Sequence, residues 1–163
     1  MDENTIDSAL QAIQQKIDAM NEQIEAAGPD VWENEERMRL ERSLAHELGT
    51  AYREMLKLVL QAGRDDETFY PLHMSTHWFT RIDDLAELAE NSLLLSRMQE
   101  MGGHYDWAES TMRVALWYAQ YIDDEKAARY KDAMRELRKR KAREQGIEQQ
   151  DEEEEVDEDE MDE

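Results

Sequence analysis

The chain of 163 residues has no cysteine, only two prolines and no apolar run long enough to cross a membrane. Without cysteine, neither disulfide bonds nor thiolate metal sites can form. A membrane-spanning helix needs about 20 apolar residues. The first ten residues, MDENTIDSAL, also lack the basic start and apolar centre of a signal peptide. These absences predict a cytoplasmic protein.

Positive charge is scarce and unevenly placed. The chain has 41 Asp and Glu against 19 Lys and Arg, which gives a net charge of −22. Residues 147–163, the acidic tail, hold 12 acids and no base, so residues 1–146 carry the remaining −10. This charge repels nucleic acid and anionic membranes and favours basic partners. The tail has too little apolar surface to fold, and we predict that it is disordered.

The N-terminal segment has the most regular apolar spacing in the chain. An a/d seam with spacings of 4, 3, 4, 3 and 4 consists of Ile6, Leu10, Ile13, Ile17, Met20 and Ile24. So narrow a stripe needs a partner helix to be stable in water. The next helix of the same chain can supply it in a hairpin, or a second copy can supply it. On the second interpretation, these six residues form a homo-oligomer.

Helical periodicity continues downstream, and no strand-like alternation is present. Four more helices are predicted at about residues 31–62, 75–101, 106–121 and 124–145. The signals between them are Gly28 with Asp30 and Glu33, then Pro71, then Gly103 with Asp106 and Glu109, and finally Asp123. The predicted fold class is all-α, an antiparallel bundle or short array of about five helices. Its parts are a heptad helix at 1–28, a helical domain at 29–146 and the tail.

The segment LSRMQEMGGHYDWAESTMRVAL has small residues where two helices would meet. Ala108 and Ala115 allow close approach, and Gly103 allows a tight turn. With these residues the segment 92–122 resembles one tetratricopeptide repeat, although Ser92, Gln99 and Gln120 replace an aromatic residue, Tyr and Pro of that repeat. Other matching positions are Leu95, Ser96, Tyr105, Met112 and Leu116. The resemblance implies a groove that binds a peptide or protein, without catalysis.

Histidine spacing suggests one arrangement that can bind a metal. His73 and His77 are four residues apart, so one helix face can present both. A third ligand would come from His46 or Glu47 of the preceding helix. The residue after His73 is Met74, so the Glu of the metalloprotease motif H-E-x-x-H is missing. Two polar histidines at a helix N-terminus are the simpler interpretation, and we assign no metal site.

Carboxylate spacing suggests a second kind of chemistry. The pairs Glu33 with Glu36 and Asp84 with Glu87 have the spacing with which all-α nucleotide pyrophosphatases bind magnesium. Such pairs are frequent by chance in so acidic a chain, and acids in a first helical turn also stabilise the helix dipole. No Gly-rich phosphate loop or nucleophile elbow is present in the sequence.

Aromatic residues are concentrated in the second half of the chain. Trp117 and Tyr118 are adjacent and cannot both face one core, and Tyr121 lies one helical turn from each. An exposed aromatic edge is a good anchor for a protein partner. The predicted partner-binding aromatics are Trp107, Trp117, Tyr118 and Tyr121.

A run of bases comes directly before the acidic tail. The basic patch consists of Arg135, Arg138, Lys139, Arg140, Lys141 and Arg143. Cations at a helix C-terminus suit the dipole, but six exceed that need and can contact phosphates. The acidic run that follows comprises Glu152, Glu153, Glu154, Glu155, Asp157, Glu158, Asp159 and Glu160. The tail can mask the patch, bind a basic partner as a nucleic-acid mimic, or only add solubility; nucleic acid would bind only if the tail is displaced.

These patterns together predict a binding protein without a cofactor. We expect a non-catalytic adaptor, assembly factor or inhibitor whose acidic tail engages basic surfaces of a partner protein. The alternative is a metal-dependent hydrolase of the nucleotide pyrophosphatase type that uses helix carboxylates or histidines.

Overall fold

The computed structural model describes residues 2–146, and within this range the fold is all-α with no strand. The six helices are α1 Glu3–Ala26, α2 Glu35–Gln61, α3 Phe69–Arg81, α4 Leu85–Met101, α5 Tyr105–Gln120 and α6 Asp124–Glu144. A short 3-10 helix, Asp65–Glu67, precedes α3. The predicted all-α class is confirmed. The predicted disorder of the tail lies outside the described residues.

The heptad seam of α1 is buried within its own chain. α1 and α2 form an antiparallel hairpin, and Arg64 beyond the end of α2 contacts Asp7 near the start of α1 at 2.7 Å. Leu10 and Ile13 are half-buried. The fully buried seam residues are Ile6, Ile17, Met20 and Ile24. Oligomerisation through the seam stays a prediction, and it would require Ile17, Met20 and Ile24 to leave the core that they share with α2 and α3.

The predicted third helix is in fact two helices. We expected one helix at 75–101, but α3 ends at Arg81 and α4 begins at Leu85. Asp83 between them has a φ of +50°, in the left-handed region that an α-helix cannot contain. Asp84 then caps α4, because its side chain accepts a hydrogen bond from the backbone N–H of Glu87.

Two helices begin at residues that the sequence patterns did not indicate. Pro71 does not exclude a helix, because it lies in the first turn of α3, where no helical N–H bond is lost. The capping box expected at Asp30 and Glu33 does not form. Asn34 caps α2 instead, with its side-chain oxygen 3.0 Å from the backbone nitrogen of Arg37.

The starts of the last two helices differ in how well they were predicted. His104 rather than Asp106 stands at the N-cap of α5, and it makes no side-chain cap bond. The expected capping box of Asp106 and Glu109 is therefore wrong, and both residues instead form ion pairs with α6. Asp123 caps α6 as predicted, accepting from the backbone N–H of Glu125.

The hairpin of α4 and α5 is tightly packed through small residues. Ala108 and Ala115 are fully buried, and Gly103 makes the turn with a φ of +79°. The hydroxyl of Ser96 donates to the backbone oxygen of Ala108 at 2.7 Å, which fixes the two helices at close range. This geometry agrees with a close helix pair; the resemblance to a tetratricopeptide repeat stays a prediction.

Each helix packs mainly on the helices before and after it, so the chain forms a short array. One core lies among α1, α2 and α3, and two smaller cores lie among α4, α5 and α6. The halves are joined by Leu56, Val59 and Leu72, which contact Leu94 and Leu95 of α4.

A buried polar network joins the same two halves. The guanidinium of Arg53 donates to the Asn91 side-chain oxygen at 2.8 Å and pairs with the carboxylate of Glu87. The amide of Asn91 donates to the Ser75 hydroxyl at 2.9 Å, and that hydroxyl donates to the Gly49 backbone oxygen at 2.7 Å. Because each of these donors has an acceptor, the network fixes α2, α3 and α4 without an unsatisfied buried group.

We predict that Gly49→Ala destabilises the protein by about 1–2 kcal/mol, although alanine is the better helix former. A Cβ atom at this position would lie 2.7 Å from the ring of Phe79, which is fully buried, so the core would have to shift to accommodate it. Urea unfolding of the single variant measures the cost. In a Phe79→Leu background the same change should cost less; an equal cost in both backgrounds would show that the ring is not the cause.

Candidate functional site

The outward face of α5 carries an apolar stripe. Its residues are 60% exposed at Trp107, 46% at Val114, 53% at Trp117 and 66% at Tyr121. The opposite face of the helix is buried against α4 and α6 through small residues and Met112. The spacings of 7, 3 and 4 residues place all four side chains on one side of the helix over about 21 Å. We call these four residues the α5 stripe.

Ring contacts order the aromatic side chains of the stripe. Trp117 meets Tyr121 edge to face with ring centroids 5.1 Å apart, and it meets Tyr118 at 5.2 Å. Tyr118 is half-buried and packs on the core of α4 to α6. Trp107 stacks on His104 at 4.4 Å. Side chains held in this way lose less rotamer entropy when a partner covers them.

The structure therefore separates the four aromatics that the sequence grouped. Trp107, Trp117 and Tyr121 lie on the exposed face, whereas Tyr118 belongs mostly to the interior. Sequence analysis missed Val114, although its position seven residues after Trp107 and three before Trp117 continues the same stripe. It also missed the exposed Trp32, which lies in the loop before α2.

The basic patch is already paired with acids of the folded domain. Glu109 of α5 lies 2.9 Å from Arg138 and 3.0 Å from Lys141, and Asp106 lies 2.7 Å from Lys141. The remaining pairs are Arg140 with Glu100, Arg135 with Asp132 and Lys139 with Glu136. Among residues 2–146, Arg143 is the one member of the patch with no acidic partner within ion-pair distance. The patch thus presents far less free positive charge than its sequence indicates.

Glu109 is the centre of the contact between α5 and α6. Burial raises the pKa of its carboxyl group, but hydrogen bonds from Lys141 and Arg138 outweigh this effect and hold the pKa below its ordinary value. The charged form is therefore stabilised in the folded protein. Its contribution to stability is complete above the ordinary Glu pKa and is lost as the pH falls through the lowered folded value.

We predict that Glu109→Gln lowers the free energy of unfolding by about 1–2 kcal/mol at pH 7. The difference from the wild type should shrink below about pH 4.3, the ordinary pKa of Glu, as the wild-type carboxylate becomes protonated. Urea unfolding at pH 7 and in acid measures it. The matched control is Glu136→Gln, which removes an exposed pair within α6 and should cost less than about 0.5 kcal/mol. Equal losses in both variants would contradict the role of Glu109.

The two histidines whose spacing could suit a metal, His73 and His77, lie on α3, four residues apart. His73 stacks on Phe69 at 5.9 Å, and His77 meets Trp78 edge to face at 5.2 Å. His46, the suggested third ligand, has its Nδ1 3.4 Å from the carboxylate of Asp84 instead. In the described range 2–146, no three His, Asp or Glu side chains are grouped so that they could hold a metal ion.

The carboxylate pairs of the hydrolase alternative have structural roles or lie apart. Asp84 caps α4, and Glu87 pairs with Arg53 in the buried network. Glu36 is in the first turn of α2, whereas Glu33 lies in the loop before it.

No model of a known protein family matches this chain, and no characterised protein or solved structure is significantly similar to it. None of the helices described in residues 2–146 is long and apolar enough to cross a membrane.

Proposed function

We propose that this chain is a non-catalytic binding protein, of the adaptor, assembly-factor or inhibitor type. Its partner is a protein with an apolar surface bordered by basic residues. The α5 stripe contacts the apolar part, and the acidic tail engages the basic part. The proposal depends on one observation. Three aromatic side chains, each more than half exposed, lie on one face of α5, and the opposite face of this helix is well packed.

The composition of the stripe supports a protein partner. Tryptophan and tyrosine are the residues most enriched at the energetic centres of protein interfaces, and lysine and glutamate are depleted there. Trp117 and Tyr121 are adjacent on the helix and already in contact. A partner helix or sheet face about 21 Å long would cover all four residues of the stripe.

Charge supports a basic partner. The chain carries −22, and 12 of its acids are in the tail. A polyanion attracts a basic surface over a distance of about 8–10 Å at physiological salt, and so raises the rate of encounter. Because five of the six bases of the patch are paired within the domain, they leave little cationic surface for nucleic acid. This pairing favours the interpretation of the tail as a mimic that faces a partner over one in which it masks the patch.

The hydrolase alternative draws less support. Asp84 and Glu87 are occupied in a helix cap and in an ion pair, Glu33 lies outside the helix that contains Glu36, and the histidines of α3 contact aromatic rings.

We predict that Trp117→Ala with Tyr121→Ala weakens partner binding at least about 30-fold while leaving the melting temperature nearly unchanged. Both side chains are largely exposed, so their removal affects the contact more than the fold. The partner is first retained on the wild-type protein from native lysate, then identified, purified and titrated by calorimetry.

The matched control is Trp32→Ala with Phe69→Ala, which removes two aromatics outside α5 that are even more exposed than Trp117 and Tyr121. The control should bind like the wild type. The assignment of the α5 stripe would be overturned if the affinity for the partner fell only in the control variant, or fell equally in both double variants.

We predict that deletion of residues 147–163 slows association with the same partner about tenfold at low salt and much less at high salt. The dissociation rate should change little, because the apolar contact remains. Surface plasmon resonance at two salt concentrations measures both rates. If the association rate is the same with and without residues 147–163, the tail has no role in recognition.

A further inference from the structure

A polar groove lies between α4 and α6, on a different side of α5 from its exposed stripe. Two adjoining cavities of about 170 and 210 Å³ form it and share Leu93, Arg97 and Ala133 as walls. Met112 of α5 contributes to the first cavity. The groove therefore extends along α6 from the region of Arg140 to that of Lys126. We call it the α4–α6 groove.

The acids in this groove already have partners. Glu90 accepts a hydrogen bond from the Tyr130 hydroxyl at 2.7 Å. Glu100 pairs with Arg140, and Glu136 pairs with Lys139 at 3.3 Å. Glu100 and Glu136 are therefore paired with bases, whereas the neutral Tyr130 hydroxyl leaves Glu90 charged, so one unpaired acid faces the remaining bases of the groove.

Three bases of the groove have no such partner. No carboxylate within residues 2–146 forms an ion pair with Arg97, Lys126 or Arg129. These residues are distinct from the basic patch, whose members are nearly all paired. On a domain that carries −10 overall, they form a local positive site that suits an anionic ligand.

The length of the chain beyond α6 brings one anionic ligand to this site. Gly146 ends the described chain with a φ of +67°, and its N–H donates to the Arg143 backbone oxygen. From Gly146 back to Arg129 along α6 is about 26 Å at the rise of a helix. About eight extended residues cover the same distance. Residues 151–155, five consecutive acids, can thus lie along the groove, with Glu154 reaching the level of Arg129 and Glu155 reaching about that of Lys126.

We propose that the α4–α6 groove binds residues 151–155 of the acidic tail of the same chain, through Arg97, Lys126 and Arg129. Tethering places the segment at millimolar effective concentration, which is enough for a weak charge contact to form. A basic partner competes for the same acids and releases the tail from the groove. In the free protein, residues 151–155 therefore face the groove. This contact does not depend on the role proposed for the α5 stripe.

Paramagnetic relaxation on the full chain tests this contact without any partner. Because the sequence has no cysteine, Val156→Cys accepts a single nitroxide label directly after the acidic segment and leaves its five acids unchanged. At low salt the label should broaden the amide signals of residues 93–97 and 126–133. The broadening should be lost in about 0.5 M salt, where exposed charges are screened.

Two charge-matched variants decide whether the three bases are responsible. Replacing Arg97, Lys126 and Arg129 with Gln should abolish the broadening. Replacing Arg39, Arg42 and Lys57 with Gln removes the same charge from exposed positions of α2 and should preserve it. Dispersed spectra in both variants verify that they are folded.

Other results would overturn the proposal. These are no broadening at the groove, broadening unchanged by loss of the three bases, or broadening centred on residues 135–143. An experiment with mixed chains, some spin-labelled and others isotope-labelled without a spin label, shows whether the tail binds its own chain or a second copy. Broadening in that mixture would place the tail on a second copy and contradict binding within one chain.

Discussion

The guanidinium group of Arg53 holds the two halves of the array together. It reaches from α2 to Glu87 and Asn91 on α4, and Asn91 continues the network to Ser75 on α3. Among neighbours in sequence, α3 and α4 make the smallest helix contact, so the polar network and the leucines beside it fix their relative position. Both surfaces with a proposed role lie on α4, α5 and α6, and the first three helices serve to support α4 from one side.

The positive charge that the surface presents depends more on which bases have acidic partners than on how many bases there are. The sequence shows a dense cationic run at 135–143, yet the fold places acids of α4 and α5 against it. Three of the bases that form no ion pair among residues 2–146, Arg97, Lys126 and Arg129, are scattered along the sequence and come together in the groove. Charge counting along a chain cannot separate these two sets, because three of the five paired bases of the patch have partners 29 to 40 positions away.

Local patterns predicted the helical class, the start of α6 at Asp123 and the end of α6 near Gln145. They failed between α3 and α4, because Asp83 adopts a left-handed conformation that the apolar periodicity on either side does not reveal. They also failed at Pro71, since a proline is compatible with a first helical turn as well as with a loop. The sequence predicted only part of the α5 stripe. Because Trp117 and Tyr118 are adjacent, one of the two rings had to be exposed, but which one it is depends on how α4 and α6 pack.

Packing between neighbours in sequence has a kinetic consequence. Since most helix contacts join consecutive elements, the fold has low contact order, which favours fast folding. Synthesis proceeds from the N-terminus, so each helix can settle on its predecessor as it emerges. The acids of α4 and α5 that pair with the basic patch, Glu100, Asp106 and Glu109, therefore precede its bases in the order of synthesis.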